Sequence, residues 1–294
     1  MIPELFDLGG QVAVVTGSSH GIGRAIVERM AEHGAQVVVT SRTQDVCDAR
    51  AQAINDRFGP TADGSPRAIA VACDAGDRPQ LAHLVERTLE EFGRIDCAVG
   101  NALVDGPAQA FIEKLDIEHF TTWFEGNVTN NAYLAQLVTP AMREQGGGSI
   151  IFMASTSGIA ALEDYLGYGS SKAALAHLAR ILAVQLGPHR IRVNAIAPGI
   201  VASRPADEGG EWADPEDREI GTGQTPLGRP GTPDEIASCA VWLASPGGSF
   251  ATGGVFVVDG GQTLKGMTGP HDLRMARRAQ AAGGQAQERR YGAV

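Results

Sequence analysis

A glycine-rich turn between two strongly patterned segments constrains the fold more than any other feature of the sequence. Residues 11–16 form a Val/Ala run typical of a buried strand, and residues 22–33 carry the apolar period of an amphipathic helix. The turn that joins them, residues 16–23, has the sequence TGSSHGIG. Glycines there let backbone N–H groups approach a pyrophosphate at the positive end of the helix. The flanking strand and helix favour such a site over a plain turn.

Six further apolar runs predict strands at residues 37–40, 68–72, 95–99, 149–153, 191–196 and 255–258, with helical patterns between them. Short strands that are apolar on both faces predict a parallel sheet covered by helices on both sides, the doubly wound α/β or Rossmann fold. A length of 294 residues would allow two domains, but α/β folds of this size are often one unit. We predict a single nucleotide-binding and catalytic domain over residues 1–261.

Two segments break the alternation of strands and helices. Residues 203–225 are rich in Gly, Pro and acids, with seven acidic side chains against two arginines. We expect this segment to form a mobile substrate lid. Its acidic side chains favour neutral substrates mildly, but they are equally explained as a solvated acidic face. Residues 262–294 carry six basic and two acidic side chains. This basic tail docks on its own chain or on a neighbour, or is solvated.

The negative overall charge disfavours two classes of partner. The formal net charge of -10 opposes binding to nucleic acid and to anionic membrane surfaces. Acidic residues stand where a signal peptide needs bases, and no apolar run reaches the roughly 18 to 20 residues that span a bilayer. We expect a cytoplasmic protein that does not bind membranes.

The cysteines, at positions 47, 73, 97 and 239, lack metal-ligand or redox spacing, so we expect free thiols, with Cys73 and Cys97 buried, and no metal.

A tyrosine and a lysine four residues apart, Tyr168 and Lys172, lie in a segment with helical periodicity and so on one helix face. A phenol with the ordinary pKa near 10 is a poor base at neutral pH, and a nearby cation favours its ionised form. Such pairs are usually surface residues, so the pair alone is a weak signal. Ser155 lies 13 residues before Tyr168, at the end of the fifth predicted strand. Tyr165 competes for the role of Tyr168, but Gly169 stands where its lysine would be needed.

Together these motifs resemble those of the short-chain dehydrogenase/reductase family, in which TGxxxGxG is followed by Ser and Tyr-x-x-x-Lys. The likeness covers residues 8–261 and includes RPGTPDEIA at 229–237, TGG at 252–254 and VDGG at 258–261. The resemblance implies an oxidoreductase that moves a hydride between a nicotinamide cofactor and a small-molecule carbonyl or secondary alcohol. It also implies a homotetramer or homodimer, with the Tyr168 helix and the last strand at interfaces.

The resemblance assigns catalytic roles to four residues. Tyr168 donates a proton to the carbonyl oxygen during reduction and accepts it during oxidation. Ser155 hydrogen-bonds that oxygen, and Lys172 lowers the tyrosine pKa and binds the nicotinamide ribose. Asn127 holds a water that links the lysine to solvent, although an asparagine inside a helix can also be a plain polar residue.

The resemblance also implies a set of cofactor contacts: Gly17, Ser19, His20, Gly21, Ile22, Gly23, Ser41, Arg42, Asp74, Ala75, Asn101, Ala102, Tyr168, Lys172, Pro198, Gly199, Val201 and Ser203. Ser41 and Arg42 follow the second strand, where an acid favours NAD and a base accommodates the 2′-phosphate of NADP. We therefore expect NADP(H), with NAD(H) as the second choice. Asp74 contacts adenine or caps the next helix. Pro198-Gly199 lies beside the nicotinamide or forms an ordinary type II turn.

One segment departs from the family pattern. Residues 99–103 have the sequence VGNAL, whereas the family commonly has Asn-Asn-Ala-Gly. Gly100 replaces the first asparagine, which we expect to loosen side-chain bonding within the sheet, and Leu103 adds bulk beside the nicotinamide ribose. Leu103 is a hint of one alternative, a nucleotide-binding regulatory protein without turnover. A redox-neutral epimerase or dehydratase with a bound nicotinamide is a further alternative that stays open.

Overall fold

A seven-stranded parallel sheet organises the part of the chain that the computed structural model describes, residues 2–103, 112–162, 165–203, 219 and 222–265. Its strands are β1 (Val12–Val15), β2 (Gln36–Val39), β3 (Ala68–Ala70), β4 (Cys97–Gly100), β5 (Gly148–Met153), β6 (Ile191–Pro198) and β7 (Val255–Val258). They are ordered β3-β2-β1-β4-β5-β6-β7. The predicted strands and the doubly wound α/β fold are therefore confirmed.

The described helices are α1 (Gly21–Glu32), α2 (Gln44–Phe58), α3 (Arg78–Phe92), α4 (Ile117–Phe124), α5 (Asn130–Glu144), α6 (Leu166–Leu186), α7 (Pro233–Ala244) and α8 (Gln262–Lys265). Local sequence sets several of their ends. The Asp77 side chain accepts the Gln80 N–H at the start of α3, and Thr232 forms a capping box with Glu235 at the start of α7. Within these residues, no helix is both long and apolar enough to cross a membrane.

Alternating strand residues feed two separate cores. Val15 and Val39 pack with α1, α2 and α7 on one face of the sheet, and Val14 and Phe152 pack with α3, α5 and α6 on the other. All four cysteines are free, and Cys47, Cys73 and Cys97 are buried, as expected for Cys73 and Cys97. Burial raises the pKa of both the Cys73 and the Cys97 thiol to about 12.

Parallel strands bring their carboxyl ends to one edge of the sheet, where ligands of this fold class bind. The chain turns back between β3 and β4, so β1 and β4 are neighbours although they are far apart in sequence. The functional residues predicted after β1, β2, β3, β4, β5 and β6 therefore share this edge. Most of the predicted lid and the tail beyond residue 265 lie outside the described residues.

Candidate active site

The glycine-rich turn after β1 depends on glycine at three positions. Gly17 and Gly21 adopt positive φ values of 64° and 54°, which residues other than glycine rarely adopt. Gly23 lies in α1 against the turn itself: a Cβ there would overlap the Gly17 carbonyl oxygen and lie 2.5 Å from Asn101 Nδ2. The first turn of α1 is thus pressed onto the strand end, with its N-terminus open to a ligand.

Asn101 and Thr16 tie this turn to the end of β4. Asn101 Nδ2 donates to the carbonyl oxygens of Thr16, at 2.9 Å, and Gly17, at 3.1 Å. In return, the Thr16 hydroxyl oxygen accepts the backbone N–H groups of Asn101 and Ala102, both at 3.0 Å. The two neighbouring strand ends therefore form one rigid platform.

A cavity of about 1100 Å³ opens above this platform, large enough for a dinucleotide. Predicted cofactor contacts that line it are Gly17, Ser19, His20, Ile22, Gly23, Ser41, Arg42, Asp74, Ala75, Asn101, Ala102 and Ser203. Of the remaining predicted contacts, Gly21, Pro198, Gly199, Val201, Tyr168 and Lys172 are not among the residues described as lining it. Residues that follow β1, β2, β3 and β4, together with Ser203 after β6, are thus brought together around one nucleotide-sized space.

Several lining residues were not predicted from the sequence: Cys73, Gly76, Asp77, Arg78, Pro79, Glu125 and Asn130. Arg78 Nη2 lies 2.7 Å from Glu125 Oε2, an ion pair that joins the start of α3 to the turn after α4. The Asp77-Arg78-Pro79 helix start could have been found from its cap and proline. No sequence signal marks Glu125 or Asn130, which reach the cavity only through the packing of the chain after α4.

Asp74 faces the cavity and does not cap the following helix. Its Oδ1 atom accepts the Gly76 N–H at 2.8 Å, while Asp77 caps α3. The helix-capping alternative for Asp74 is therefore wrong. On the neighbouring strand end, Arg42 is exposed and lines the same cavity.

The segment after β6 is fixed by backbone contacts. Gly199 is not among the positive-φ glycines, so the type II turn alternative is wrong, and a Cβ there would lie 2.7 Å from Asp259 Cβ. Val201 pairs with Gly231 in an isolated bridge. Ser203 then approaches the glycine-rich turn, with its Cβ 3.4 Å from the position of a Cβ on Gly21.

Tyr168 and Lys172 lie one turn apart on α6, as predicted. Lys172 is only 4% exposed, and its Nζ donates to the Met153 carbonyl oxygen at 2.7 Å. The same Nζ lies 5.6 Å from the centre of the Tyr168 ring. Burial lowers the pKa of Lys172 to about 8, because an apolar environment disfavours its charged form. The ammonium is therefore a buried cation at neutral pH beside a half-buried phenol.

Ser155 follows β5 and begins a short 3₁₀ turn, Thr156–Gly158, that packs on α6. A Cβ on Gly158 would lie 2.6 Å from Ala173 N, and one on Gly169 would lie 2.8 Å from the Ser157 carbonyl oxygen. Two glycines thus let the Ser155 turn approach the helix that carries Tyr168 and Lys172. The predicted serine, tyrosine and lysine are brought onto directly packed elements.

Aromatic rings surround Tyr168. The Trp123 ring of α4 meets the Tyr168 ring edge-on with centroids 5.4 Å apart, and Tyr165 meets it in the same way at 5.8 Å. Trp123 is buried, and a Cβ on Gly167 would overlap its Cδ1 atom. Sequence reasoning missed Trp123, because no motif marks a residue that acts by packing across two helices.

The sequence context of Asn127 predicted a regular α-helix. The residue lies instead in a π-helical turn, Glu125–Thr129, between α4 and α5. Such single π turns are frequent at functional sites. Asn127 Nδ2 donates to Ser171 Oγ at 3.0 Å, so the side chain contacts α6 one residue before Lys172. Its buried Oδ1 has no hydrogen-bond partner among the described residues.

The chain departs from the family pattern at Gly100 and Leu103, and the expected loosening of side-chain bonding at Gly100 stays a prediction. The side chain of Asn131 from α5 occupies the space that a side chain at position 100 would fill. Leu103, the second departure, lines the cavity and is 51% exposed.

Comparison with known proteins agrees with this architecture. A family model described as enoyl-(acyl carrier protein) reductase matches residues 17–263. An uncharacterized oxidoreductase of Mycobacterium tuberculosis is 39% identical over 271 residues, which cover 92% of this chain and 98% of that protein.

Two solved structures share the fold over most of their length. A 7α-hydroxysteroid dehydrogenase complexed with NADH and 7-oxo glycochenodeoxycholic acid has a TM-score of 0.79 and 33% identity, covering 89% of this chain and 98% of that one. The L-sorbose reductase of Gluconobacter frateurii, complexed with NADPH and L-sorbose, has a TM-score of 0.79 and 31% identity, covering 88% and 98%. This chain belongs to the short-chain dehydrogenase/reductase family of NAD(P)-dependent oxidoreductases.

Proposed function

We propose that the protein interconverts a small-molecule carbonyl and the corresponding secondary alcohol with a nicotinamide cofactor, and that Tyr168 is its general acid and base. The observation that carries the proposal is the buried ammonium of Lys172, 5.6 Å from the centre of the Tyr168 ring, on the helix face that packs on the Ser155 turn. A cation buried beside a phenol favours the phenolate, which is the form that can accept a proton.

The cavity residues fit a dinucleotide. Gly17 and Gly21 adopt backbone conformations that favour glycine, and the N-terminus of α1 opens towards the cavity where a pyrophosphate would bind. Asp74 and Ala75 would hold the adenine end, and Asn101 and Ala102 would lie nearer the nicotinamide. When bound, the cofactor supplies or accepts the hydride. Gly21, Pro198, Gly199 and Val201 would complete the site from the neighbouring backbone.

The proton steps belong to residues of β5, the π turn and α6. In reduction the Tyr168 hydroxyl donates its proton to the substrate oxygen, and in oxidation the phenolate takes it back. The Ser155 hydroxyl donates a hydrogen bond to the same oxygen, which holds the reacting carbon in place. Lys172 favours the phenolate and binds the nicotinamide ribose. The buried Oδ1 of Asn127 is an acceptor suited to a water that relays protons from Lys172 to solvent.

NADP(H) is the proposed cofactor, because Ser41 and the exposed Arg42 line the cavity at the end of β2, where the adenosine ribose of a Rossmann fold binds. Replacing Arg42 by Ser should lower the ratio of kcat/KM for NADPH to that for NADH by about tenfold or more, since a charge-assisted bond to the 2′-phosphate is lost. Arg143→Ser, outside the described lining of the cavity, is the control. An unchanged ratio in the Arg42 variant would contradict the proposed role of Arg42 in selecting NADP(H).

A homo-oligomer and a cytoplasmic location belong to the same proposal. Val184 of α6 is 79% exposed, and Phe250 and Val257 are exposed before and within β7, the two elements expected at interfaces. All four cysteines are free thiols, as is usual in a reducing compartment. We assign residues 1–261 to one catalytic domain, with residues 203–225 as its lid and 262–294 as a basic tail.

The direct test of the activity class is the absorbance of the reduced nicotinamide, followed with NADPH and then NADH against a panel of ketones and secondary alcohols. Net oxidation or reduction of the cofactor supports the proposal. Conversion of substrate with no net change in absorbance would favour the redox-neutral epimerase or dehydratase. Cofactor binding without any conversion across a panel that includes redox-neutral substrates would favour the regulatory nucleotide-binding protein.

A further inference from the structure

An asparagine of α5 fills a space at the end of β4 that only a glycine leaves open. A Cβ on Gly100 would overlap Asn131 Oδ1 and would lie 3.0 Å from Asn131 Cγ and 3.2 Å from Phe152 Cδ1. Asn131 is buried, and its side chain therefore has no room to move aside. Any side chain at position 100 would displace it.

The other end of the same amide holds the π turn. Asn131 Nδ2 donates to the backbone carbonyl oxygen of Asn127 at 2.8 Å. In a π turn the hydrogen bonds run five residues back, as from Asn130 N to the Glu125 carbonyl oxygen, and so differ from those of the α-helices on either side. The side-chain amide gives the Asn127 carbonyl a buried partner at the point where this change of pattern occurs.

From Asn127 the hydrogen bonds continue to the proposed catalytic helix. Asn127 Nδ2 donates to Ser171 Oγ at 3.0 Å, and the Ser171 hydroxyl donates to the Tyr168 carbonyl oxygen at 2.8 Å. Asn127, Asn131 and Ser171 are all buried. A continuous polar network thus runs from the end of β4, through Asn131 and Asn127, to the turn of α6 that carries Tyr168 and Lys172.

We infer that Asn131 is a positioning residue for the proton relay, and that Gly100 is the complement that makes room for it. Asn131 fixes the Asn127 carbonyl and Ser171 fixes the Asn127 amide nitrogen, which leaves Asn127 Oδ1 at a defined place as the remaining acceptor. The inference rests on the proposed function, since it concerns the relay between Lys172 and solvent.

The first half of the test measures the contact and needs no turnover. Gly100→Ala should lower the unfolding midpoint by about 5 °C, because its methyl group collides with Asn131. Adding Asn131→Ala to that variant should recover most of the loss, so that the two substitutions are strongly non-additive. Additive losses would overturn the proposed complementarity of Gly100 and Asn131.

The second half measures the relay. Asn131→Ala and Asn131→Leu, the second of which keeps the branched shape of the side chain without the donor, should both lower kcat about tenfold and shift the midpoint of the pH profile of kcat. Gly100→Ala should show the same shift, and the double variant should stay shifted although it is stable again. An Asn131→Leu enzyme with the wild-type pH profile would overturn the positioning role.

The two levels of failure are distinguishable. Tyr168→Phe measured beside these variants sets the residual rate without the proposed acid. A wild-type protein that turns over no substrate counts against the proposed function, while the unfolding measurements still decide whether Gly100 and Asn131 are complementary. Turnover by wild type with unchanged profiles in the Asn131 variants counts against this inference alone.

Discussion

The burial of Lys172, which the proposed function requires, has a cost in stability. Its ammonium is buried, bonded to the Met153 carbonyl oxygen, and its pKa is lowered to about 8 by burial. Burial is the cause of this shift. The folded protein therefore holds a charge at neutral pH that would be better solvated in the unfolded chain, which costs stability.

Replacing Lys172 by Met should abolish turnover and yet raise the free energy of unfolding at pH 7 by about 2 kcal/mol, the desolvation cost less one lost hydrogen bond. Between the folded pKa of about 8 and the ordinary 10.5, the unfolded wild-type chain binds more protons than the folded one. As the pH rises through this window, the free energy of unfolding of the wild-type protein therefore increases relative to that of the variant. Denaturant unfolding from pH 7 to 10 measures it, and a variant less stable at pH 7 would contradict the burial cost.

Gly23 tests whether the glycine-rich turn is shaped by close packing. Gly23→Ala should reduce cofactor affinity at least about tenfold and lower stability, because the methyl group overlaps the Gly17 carbonyl oxygen and crowds Asn101 Nδ2. Gly223→Ala is a matched control, since a Cβ there meets nothing within 4 Å. Cofactor titration and thermal unfolding check both variants, and equal behaviour of the two would contradict the packing argument.

At the scale of elements, α4 and α6 pack through the proposed acid itself. Gly167→Ala should push Trp123 away from its edge-on contact with Tyr168 and lower kcat by about tenfold, while the cofactor dissociation constant stays nearly unchanged. Gly167→Ala combined with Trp123→Leu relieves the overlap and should recover stability without recovering kcat fully. Full activity in Gly167→Ala alone would show that Trp123 does not position the tyrosine.

The π turn shows where sequence reasoning about elements stops. Apolar periodicity predicted helix on both sides of Asn127, and α4 and α5 are there. One extra residue in a turn changes the hydrogen-bond pattern but hardly changes the apolar period, so Glu125–Thr129 could not be predicted as a π turn. Asn131 was missed for a related reason: its role depends on Gly100, a residue 31 positions earlier in the sequence.

For the whole molecule, the sequence was sufficient to predict the seven strands, the parallel sheet and the edge at which ligands bind. Those features follow from local periodicity and from the fixed handedness of strand–helix–strand connections. Contacts across the cavity, such as the Arg78 ion pair with Glu125, could not be predicted, because they depend on how separate helices pack. The same limit applies to Trp123 beside Tyr168.

The assignment of Tyr168 as acid and base is tested most directly by comparing Tyr168→Phe with Tyr165→Phe. Both variants keep their rings and their mutual edge-on contact, and each loses one hydroxyl. We predict that Tyr168→Phe lowers kcat about 10³-fold with cofactor affinity retained, whereas Tyr165→Phe keeps most of its activity. Turnover that survives in Tyr168→Phe, or that is lost equally in Tyr165→Phe, would contradict the assignment.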